Sequence, residues 1–131
     1  PPWFLERARA FRNEQVFEAQ EKERRLEQEH AAVFGEADIV LTPCHSTGAF
    51  AAEGPLPERI AGKDASRTHG DAFPMFANIG WNPSISEPAG LTAEGLPVGL
   101  LITVRRHRDD LALRLARILE AVPRWPRHAP G

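Results

Sequence analysis

The chain has 131 residues, of which 42% are hydrophobic and 26% are charged, and its acidic and basic side chains nearly cancel to a formal charge of −2. This length and composition predict one folded domain with a modest core. The near-neutral charge gives no electrostatic reason for binding nucleic acid. No apolar run approaches the roughly 18 residues that a membrane span needs.

The cysteine content and the first residues narrow the class further. Cys44 is the single cysteine, which excludes an internal disulfide and a cysteine-only metal site. The first residues do not resemble a signal peptide, because Glu6 falls too early and no apolar core follows. There is no initiator Met, so Pro1 is not expected to be the native start. We therefore expect a cytoplasmic protein with no nucleic-acid and no membrane partner.

Residues 3–34 are predicted to form one long helix. At 100° per residue one narrow stripe of the helix is apolar, although the polar residues Gln15 and Lys22 interrupt it. A two-stranded coiled coil is the alternative, but the seam contains too little Leu and Ile for high stability. The helix is expected to pack along this stripe, which consists of Phe4, Ala8, Phe11, Ala19, Leu26 and Val33.

Residues 38–104 form a predicted sheet and loop region. A short apolar strand at 38–42 ends at Pro43 and is followed by a long irregular stretch, 43–71. Next come a short helical turn at 73–80, a brief strand at 84–87 and a nearly continuous apolar strand at 97–104, which is expected to be buried on both faces. Gly99 within that strand is predicted to allow another chain segment to approach closely.

A helix at 109–122 is predicted from acids in its first turn and from an apolar face of Leu111, Leu115, Ile118, Leu119 and Val122. A tail, 123–131, completes the single domain, 1–131. The fold class is therefore α/β, with a partial mixed sheet of about three strands flanked by the long N-terminal helix and this amphipathic helix. A sheet averages ~5–6 strands, so this sheet is short of strands.

Four segments occur in an order and at spacings that resemble a known family. They are DIVLTP at 38–43, NIGWNPSIS at 78–86, PAG at 88–90 and GLPVGL at 95–100. Together with the closing helix they resemble the C-terminal region of amidase-signature enzymes, over roughly residues 15–122. The sequence differs from the family pattern at Glu87, where a small apolar residue is usual, and at Cys44-His45, which follow the Thr-Pro pair.

The resemblance implies hydrolysis of a carboxylic amide C–N bond by a serine nucleophile, assisted by a second serine and a lysine. In the family these residues lie upstream of the matched region, in a Gly/Ser-rich loop and a strand. Neither lysine of this chain, Lys22 or Lys63, has a recognisable serine partner, and Gly-Gly and Ser-Ser pairs are absent. We therefore assign this chain no catalytic residue and no cofactor, and expect it to be inactive alone.

Two functional interpretations remain open. In the first, the chain is the C-terminal segment of a serine amidase that contributes strands and one wall of the substrate pocket. Its partners are then the remainder of the amidase domain and a small-molecule amide. In the second, it is an inactive truncated relative that acts as a dimerisation module. Exposed sheet edges predict self-association in both cases.

The resemblance also suggests where the substrate pocket lies. In the family the segment after the Thr-Pro step runs near the acyl site, so Thr42, Pro43, Cys44 and His45 are the candidate pocket residues. A catalytic Cys44-His45 pair is disfavoured, because neighbours in an extended segment point to opposite sides. His69 and Asp71 could contact a metal, but two ligands in a loop make a poor site, and no metal is expected.

Overall fold

A computed structural model describes residues 2–67 and 70–122. The described chain contains four α-helices and five β-strands. The helices are α1 (Pro2–Arg9), α2 (Asn13–Glu36), α3 (Ala72–Gly80) and α4 (Asp109–Glu120). The strands are β1 (Ile39–Pro43), β2 (Arg59–Ile60), β3 (Lys63–Asp64), β4 (Ser84–Leu91) and β5 (Pro97–Val104). The predicted tail, 123–131, lies outside the described residues.

The main sheet has three strands in the order β1-β5-β4. The predicted α/β class and the number of strands are confirmed. Both strand pairs are antiparallel, so the parallel pairing that a mixed sheet implies is not found among the described strands. The reason for β4 and β5 is their short connection, which Thr92 closes by donating its N–H to the Leu96 carbonyl at 2.7 Å.

A second, two-stranded sheet of β2 and β3 lies within the stretch predicted as a loop. Arg59 pairs with Asp64, and Ile60 with Lys63. The turn between them contains Gly62 at φ +78°, and the Arg59 guanidinium donates to the Gly62 carbonyl. A hairpin this short has no hydrophobic alternation to reveal it, so the sequence did not predict it.

The core forms where α4 packs on one face of the sheet. Ile102 and Val104 of β5 are fully buried, and Ala112 and Ala116 of α4 are almost fully buried against them. Two alanines one helical turn apart remove bulk from the helix face, which lets α4 lie close to the strands. The amphipathic pattern of this helix therefore corresponds to its actual packing face.

The opposite face of β5 is also buried near its C-terminal end. Leu101 and Thr103 point away from α4 by strand alternation, and both are buried. Besides α4, helix α3 contacts β5. The predicted burial of this strand on both faces is thus confirmed for 101–104, whereas Pro97 and Val98 at its start are exposed.

The prediction of a single helix over 3–34 is wrong, because the chain breaks between α1 and α2. Arg12 has extended backbone angles, φ −94° and ψ 154°. Its N–H donates to Oε1 of Gln15 at 2.9 Å, which is the backbone half of a capping box. Gln15, which the helical pattern treats as an interruption of the stripe, is the residue that stabilises the start of α2.

The predicted packing stripe is also wrong for most of α2. Phe11, Leu26 and Val33 remain between 36% and 55% exposed. The buried residues of α2 are His30 and Phe34, near its C-terminal end. Both contact Phe76 of α3, with ring centroids at 3.9 Å and 6.3 Å respectively. Only the last turns of α2 therefore pack against the sheet domain, and the remainder extends from it.

The burial of His30 gives the fold a pH dependence. Burial lowers the pKa of His30 below its usual 6.5, and Arg106 acts in the same direction while Glu29 and Glu27 oppose it. As pH falls through 6.5, the unfolded chain therefore binds a proton at His30 that the folded chain resists. Stability due to this group is lost over that window and stops changing below the lowered pKa.

We expect the unfolding free energy to fall more between about pH 7 and pH 5 for the parent chain than for a His30→Phe variant. Phenylalanine keeps the contact with Phe76 but cannot titrate. Urea unfolding at each pH measures the difference. Equal slopes for the two proteins would show that His30 takes no part in the pH dependence.

The C-terminus of α3 ends in a Schellman motif with an unusual residue. The Asn82 N–H donates to the Ala77 carbonyl, and the Trp81 N–H to the Asn78 carbonyl. Between them Trp81 is left-handed, at φ 53° and ψ 36°. This region costs a non-glycine residue roughly 1–2 kcal/mol, and the indole recovers little of that cost because Trp81 is 69% exposed.

Replacing Trp81 with glycine is therefore expected to stabilise the chain by about 1 kcal/mol. The control is Trp81→Ala, which removes the indole but keeps the Cβ that causes the strain. Thermal unfolding should rank glycine above both alanine and tryptophan. An equal gain from alanine would trace the effect to loss of the exposed indole instead.

The helices of the described ranges are too short or too polar to cross a bilayer. None of α1 to α4 combines the length and the apolarity that a membrane span requires.

Candidate functional site

A cleft of about 480 Å³ opens at the N-terminal end of β5, and we call it the Cys44 cleft. One wall is the segment that follows β1, and the other is the β4–β5 connection with the start of β5. The lining residues are Cys44, His45, Ser46, Thr47, Gly48, Ala49, Phe50, Thr92, Pro97, Val98 and Gly99. The candidate pocket residues Cys44 and His45 are therefore together in one cavity.

Cys44 lies at the base of this cleft because it continues the β1–β5 ladder beyond the end of β1. Its N–H donates to the Gly99 carbonyl at 2.9 Å. Its Sγ lies 2.9 Å from the Ser86 hydroxyl oxygen on β4, at hydrogen-bonding distance. The two side chains thus meet across β5, directly over Gly99.

Gly99 makes this contact possible. A Cβ at this position would lie 2.8 Å from Cys44 Sγ and 3.2 Å from both Cys44 Cβ and Ser86 Oγ. The predicted close approach at Gly99 is confirmed, and the approaching groups are the side chains of Cys44 and Ser86. Strand register explains the meeting, because Thr42, Leu101 and Ser86 lie in one cross-strand row and Cys44 and Gly99 are each two residues further along the same face.

Thr42 and Pro43 are not among the residues that line the Cys44 cleft. Thr42 lies on β1, and its Oγ1 is buried without a hydrogen-bond partner among the described residues. Pro43 is the last residue of β1 and is exposed. The four candidate pocket residues are therefore divided: two line the cleft, and two belong to the strand that positions it.

His45 faces a different partner from Cys44. Its Nδ1 lies 3.3 Å from Oδ1 of Asp71, and both side chains are about half exposed. The adjacent Ser46 N–H donates to the Gly70 carbonyl at 3.1 Å. These contacts close the long 43–71 segment on itself, so that the residue before α3 supports the cleft wall.

The Cys44 cleft is electrostatically neutral over most of its lining. As far as the structure describes them, its lining residues include no Asp, Glu, Lys or Arg. Phe50, Pro97 and Val98 supply apolar surface, while Thr47 and Thr92 supply hydroxyl groups. A cavity of this kind suits an uncharged group with apolar and hydrogen-bonding parts.

No group of three His, Cys, Asp or Glu side chains within 2–67 and 70–122 is arranged to hold a metal ion. The candidate ligand His69 lies outside the described residues. Its proposed companion Asp71 contacts His45 instead. Glu87, the family-atypical carboxylate, is half-buried opposite Leu100 on β5.

Sequence reasoning missed Ser86 and Asp71 as neighbours of the candidate pocket. Ser86 is 42 residues from Cys44, and only the strand register brings them together. A usable signal was available for Ser86, because Gly99 marks a position of close approach and β4 pairs with the strand that contains it. Nothing in the sequence points to the His45–Asp71 contact, since it depends on how the irregular segment folds back.

Comparison with known proteins identifies the family. The family model described as Amidase matches residues 3–113. An acylamidase from Rhodococcus erythropolis is 36% identical over 95 residues, which are 72% of this chain and 20% of that protein. A glutamyl-tRNA(Gln) amidotransferase component from Parvibaculum lavamentivorans is 35% identical over 95 residues, 72% of this chain and 18% of that protein.

A solved structure extends the similarity to the fold. A bacterial aryl acylamidase of the amidase signature enzymes superimposes with a TM-score of 0.79 at 25% identity, over 92% of this chain and 25% of that one. The chain thus spans between 18% and 25% of the length of these relatives. On the family match, the sequence identity and the shared fold, the chain belongs to the amidase signature family.

Proposed function

We propose that this chain is part of an enzyme that hydrolyses carboxylic amide C–N bonds, and that it supplies sheet strands and one wall of the substrate pocket. The serine nucleophile and its lysine then lie outside these 131 residues. The observation that carries the proposal is the Cys44 cleft, which a member of the amidase family forms from the segment after its Thr-Pro step.

The serines of the chain support an external nucleophile. A hydroxyl is a weak nucleophile that needs an adjacent base and N–H donors for the oxyanion. In the described part of the chain, neither Lys22 nor Lys63 is hydrogen-bonded to a serine, and the side-chain contact of Ser86 is with Cys44. A working nucleophile–base pair is therefore expected from another segment.

The Cys44 cleft fits the neutral part of an amide substrate. Its apolar residues suit an acyl or aryl group, and its threonine hydroxyls can bind a polar amide. In this proposal Cys44 and His45 contact the substrate, while Thr42 and Pro43 hold the strand that places them. A small-molecule amide is accordingly the proposed substrate class, and the cytoplasm, which suits the free Cys44, is the proposed location.

The uncovered apolar surface supports a role for the remainder of an amidase domain. Each outer strand of the main sheet, β1 and β4, has a single described neighbour. On the outer side of α4, Leu113 is 61% and Ile118 is 57% exposed. Unpaired strand edges and exposed large apolar side chains are positions where further chain is expected to pack.

The test begins with the coding DNA upstream of Pro1. The complete reading frame should be expressed and assayed with a chromogenic aryl amide, then labelled with a fluorophosphonate that reacts with activated serines. We expect amide hydrolysis, and mass mapping should place the label outside residues 1–131. A label on Ser46, Ser66, Ser84 or Ser86, or an inactive complete product, would contradict the proposal.

A second candidate function is self-association, and the exposed α1–α2 arm favours it. Phe17 is 68%, Leu5 60% and Phe11 55% exposed, and the first half of α2 is exposed throughout. Sedimentation of the 131-residue chain should then show a dimer that Phe17→Glu dissociates. The matched change Glu18→Gln, one residue along the helix, should leave it intact. A monomer at high micromolar concentration would exclude this function.

A further inference from the structure

A second cleft, of about 670 Å³, lies at the opposite end of β5 from the Cys44 cleft, and we call it the His30 cleft. It is bounded by α2, by the end of α3 and by the residues after β5. Because eight residues of extended strand span roughly 20–25 Å, the two clefts are separate sites. The lining residues are Arg24, Glu27, Gln28, His30, Ala31, Phe34, Gly35, Gly80, Asn82, Arg105, Arg106 and His107.

His30 presents an unsatisfied polar atom in this cleft. The residue is only 8% exposed, and its Nδ1 is buried with no hydrogen-bond partner among the described residues. Leaving a buried donor or acceptor unpaired costs roughly 1–3 kcal/mol. Such an atom in a native fold calls for a bound group that pairs with it.

Asn82 presents a second unsatisfied atom to the same place. Its Nδ2 donates to the Val104 carbonyl at 2.9 Å, which fixes the orientation of the amide and leaves Oδ1 on the other side. That Oδ1 is likewise buried and unpaired within the described part of the chain. An amide oxygen only accepts hydrogen bonds, so the missing group must donate to Asn82.

Gly80 shows that both atoms face one small space. A Cβ added at Gly80 would collide with Asn82 Oδ1 and with His30 Nδ1. Gly80 lies in α3 without the positive φ that would require glycine, and glycine in a helix costs roughly 0.5–1 kcal/mol relative to alanine. Glycine therefore serves here to leave room between the two polar atoms.

Guanidinium groups surround this space. Arg106 donates from Nε to the Gly80 carbonyl at 2.7 Å and from its terminal nitrogen to Glu27 at 2.8 Å. Arg24 pairs with Glu21, and Arg105 lies 3.5 Å from Asp38. Each guanidinium has five N–H donors, so donors remain for an anion, and Glu27 is the single carboxylate among the lining residues.

We propose that the His30 cleft binds a small hydroxycarboxylate. The ligand hydroxyl donates to Asn82 Oδ1 and accepts from the Nδ1–H tautomer of His30, and its carboxylate faces the guanidinium groups of Arg105 and Arg106. A hydroxyl is the smallest group that both donates and accepts, which matches the space above Gly80. Cationic ligands are excluded by the three arginines.

Binding of three probes to the 131-residue chain tests the proposal. Lactate carries the hydroxyl and the charge, propionate lacks the hydroxyl, and lactamide lacks the charge. We expect lactate to bind at least tenfold more tightly than either, and to shift the NMR signals of the His30 ring and the Asn82 side-chain amide. Equal binding of lactate and propionate, or no shift at these two residues, would overturn the proposal.

Two variants separate the contributions of charge and hydroxyl. Arg105→Met, at an exposed position, should weaken lactate several-fold and leave lactamide unchanged, whereas Arg114→Met on α4 should change neither. His30→Phe should remove the preference for lactate over propionate. If that variant does not fold, the Arg105 and Arg114 pair still decides the outcome, because equal lactate affinity in those two proteins contradicts the assigned carboxylate position.

A crystal structure grown with lactate gives an independent readout. We expect the lactate hydroxyl between His30 Nδ1 and Asn82 Oδ1. A single water molecule in that place, with lactate absent from the cleft, would show that the two atoms are satisfied by solvent and would end the proposal.

Discussion

Replacing Ile102 with alanine is expected to lower the free energy of unfolding by about 2–5 kcal/mol. Ile102 is fully buried at the centre of the core. It is paired with Leu41 on one side and Ile85 on the other, and α4 packs on the same face. Because every neighbour is held by strand pairing or by the helix, the surrounding structure can relax little into the cavity.

Urea unfolding followed by circular dichroism measures this loss, with two comparisons. Ile102→Val removes one methylene group and should cost about 0.5–1.5 kcal/mol. Leu113→Ala, on the solvent side of α4 and 61% exposed, should change stability by less than about 0.5 kcal/mol. If Ile102→Ala and Leu113→Ala cost the same, the α4–sheet interface is not the core of this chain.

Replacing Gly99 with alanine is the second large effect, with an expected loss of about 1–3 kcal/mol from overpacking. The new Cβ would meet Cys44 Sγ at 2.8 Å, a distance that requires one of the groups to move. A Gly→Ala change gains roughly 0.4–1 kcal/mol from the unfolded chain. That gain is smaller than the cost of the clash, so the net effect is destabilising.

The matched control is Gly35→Ala, where an added Cβ has no neighbour within 4 Å and the residue lies in α2. This change should be neutral or stabilising by up to about 1 kcal/mol. Adding Cys44→Gly to Gly99→Ala removes the clashing atoms and should restore part of the loss, which a double-mutant cycle measures. Additive effects of the two changes would show that Cys44 is not what confines Gly99.

Gly99→Ala also bears on function, because Gly99 and Cys44 both line the Cys44 cleft. In the complete enzyme the displaced Cys44 would narrow the proposed pocket wall. We therefore expect a higher KM for bulky aryl amides with a smaller change for short aliphatic amides. Equal changes for both substrate types would indicate that this wall does not contact the substrate.

The sequence alone determined the elements whose packing follows a simple repeat. The apolar run of β5 was predicted at 97–104 and is observed at Pro97–Val104. The start of α4 was predicted at Asp109 and is observed there. Both elements bury a continuous set of their own side chains, so the pattern along the chain reflects the pattern in space. The ordered segments at 38–43, 78–86 and 95–100 also identified the family.

The tertiary structure alone decided the features that depend on distant or irregular neighbours. The break before α2 depends on one local hydrogen bond from Arg12 to Gln15, which the apolar period of a helix does not register. The meeting of Cys44 with Ser86 over Gly99 depends on a register that joins residues 42 positions apart. Likewise, His30 and Asn82 converge only because α2 and α3 dock at the end of β5. A periodic pattern records which face of an element is apolar, but not which distant residue lies opposite it.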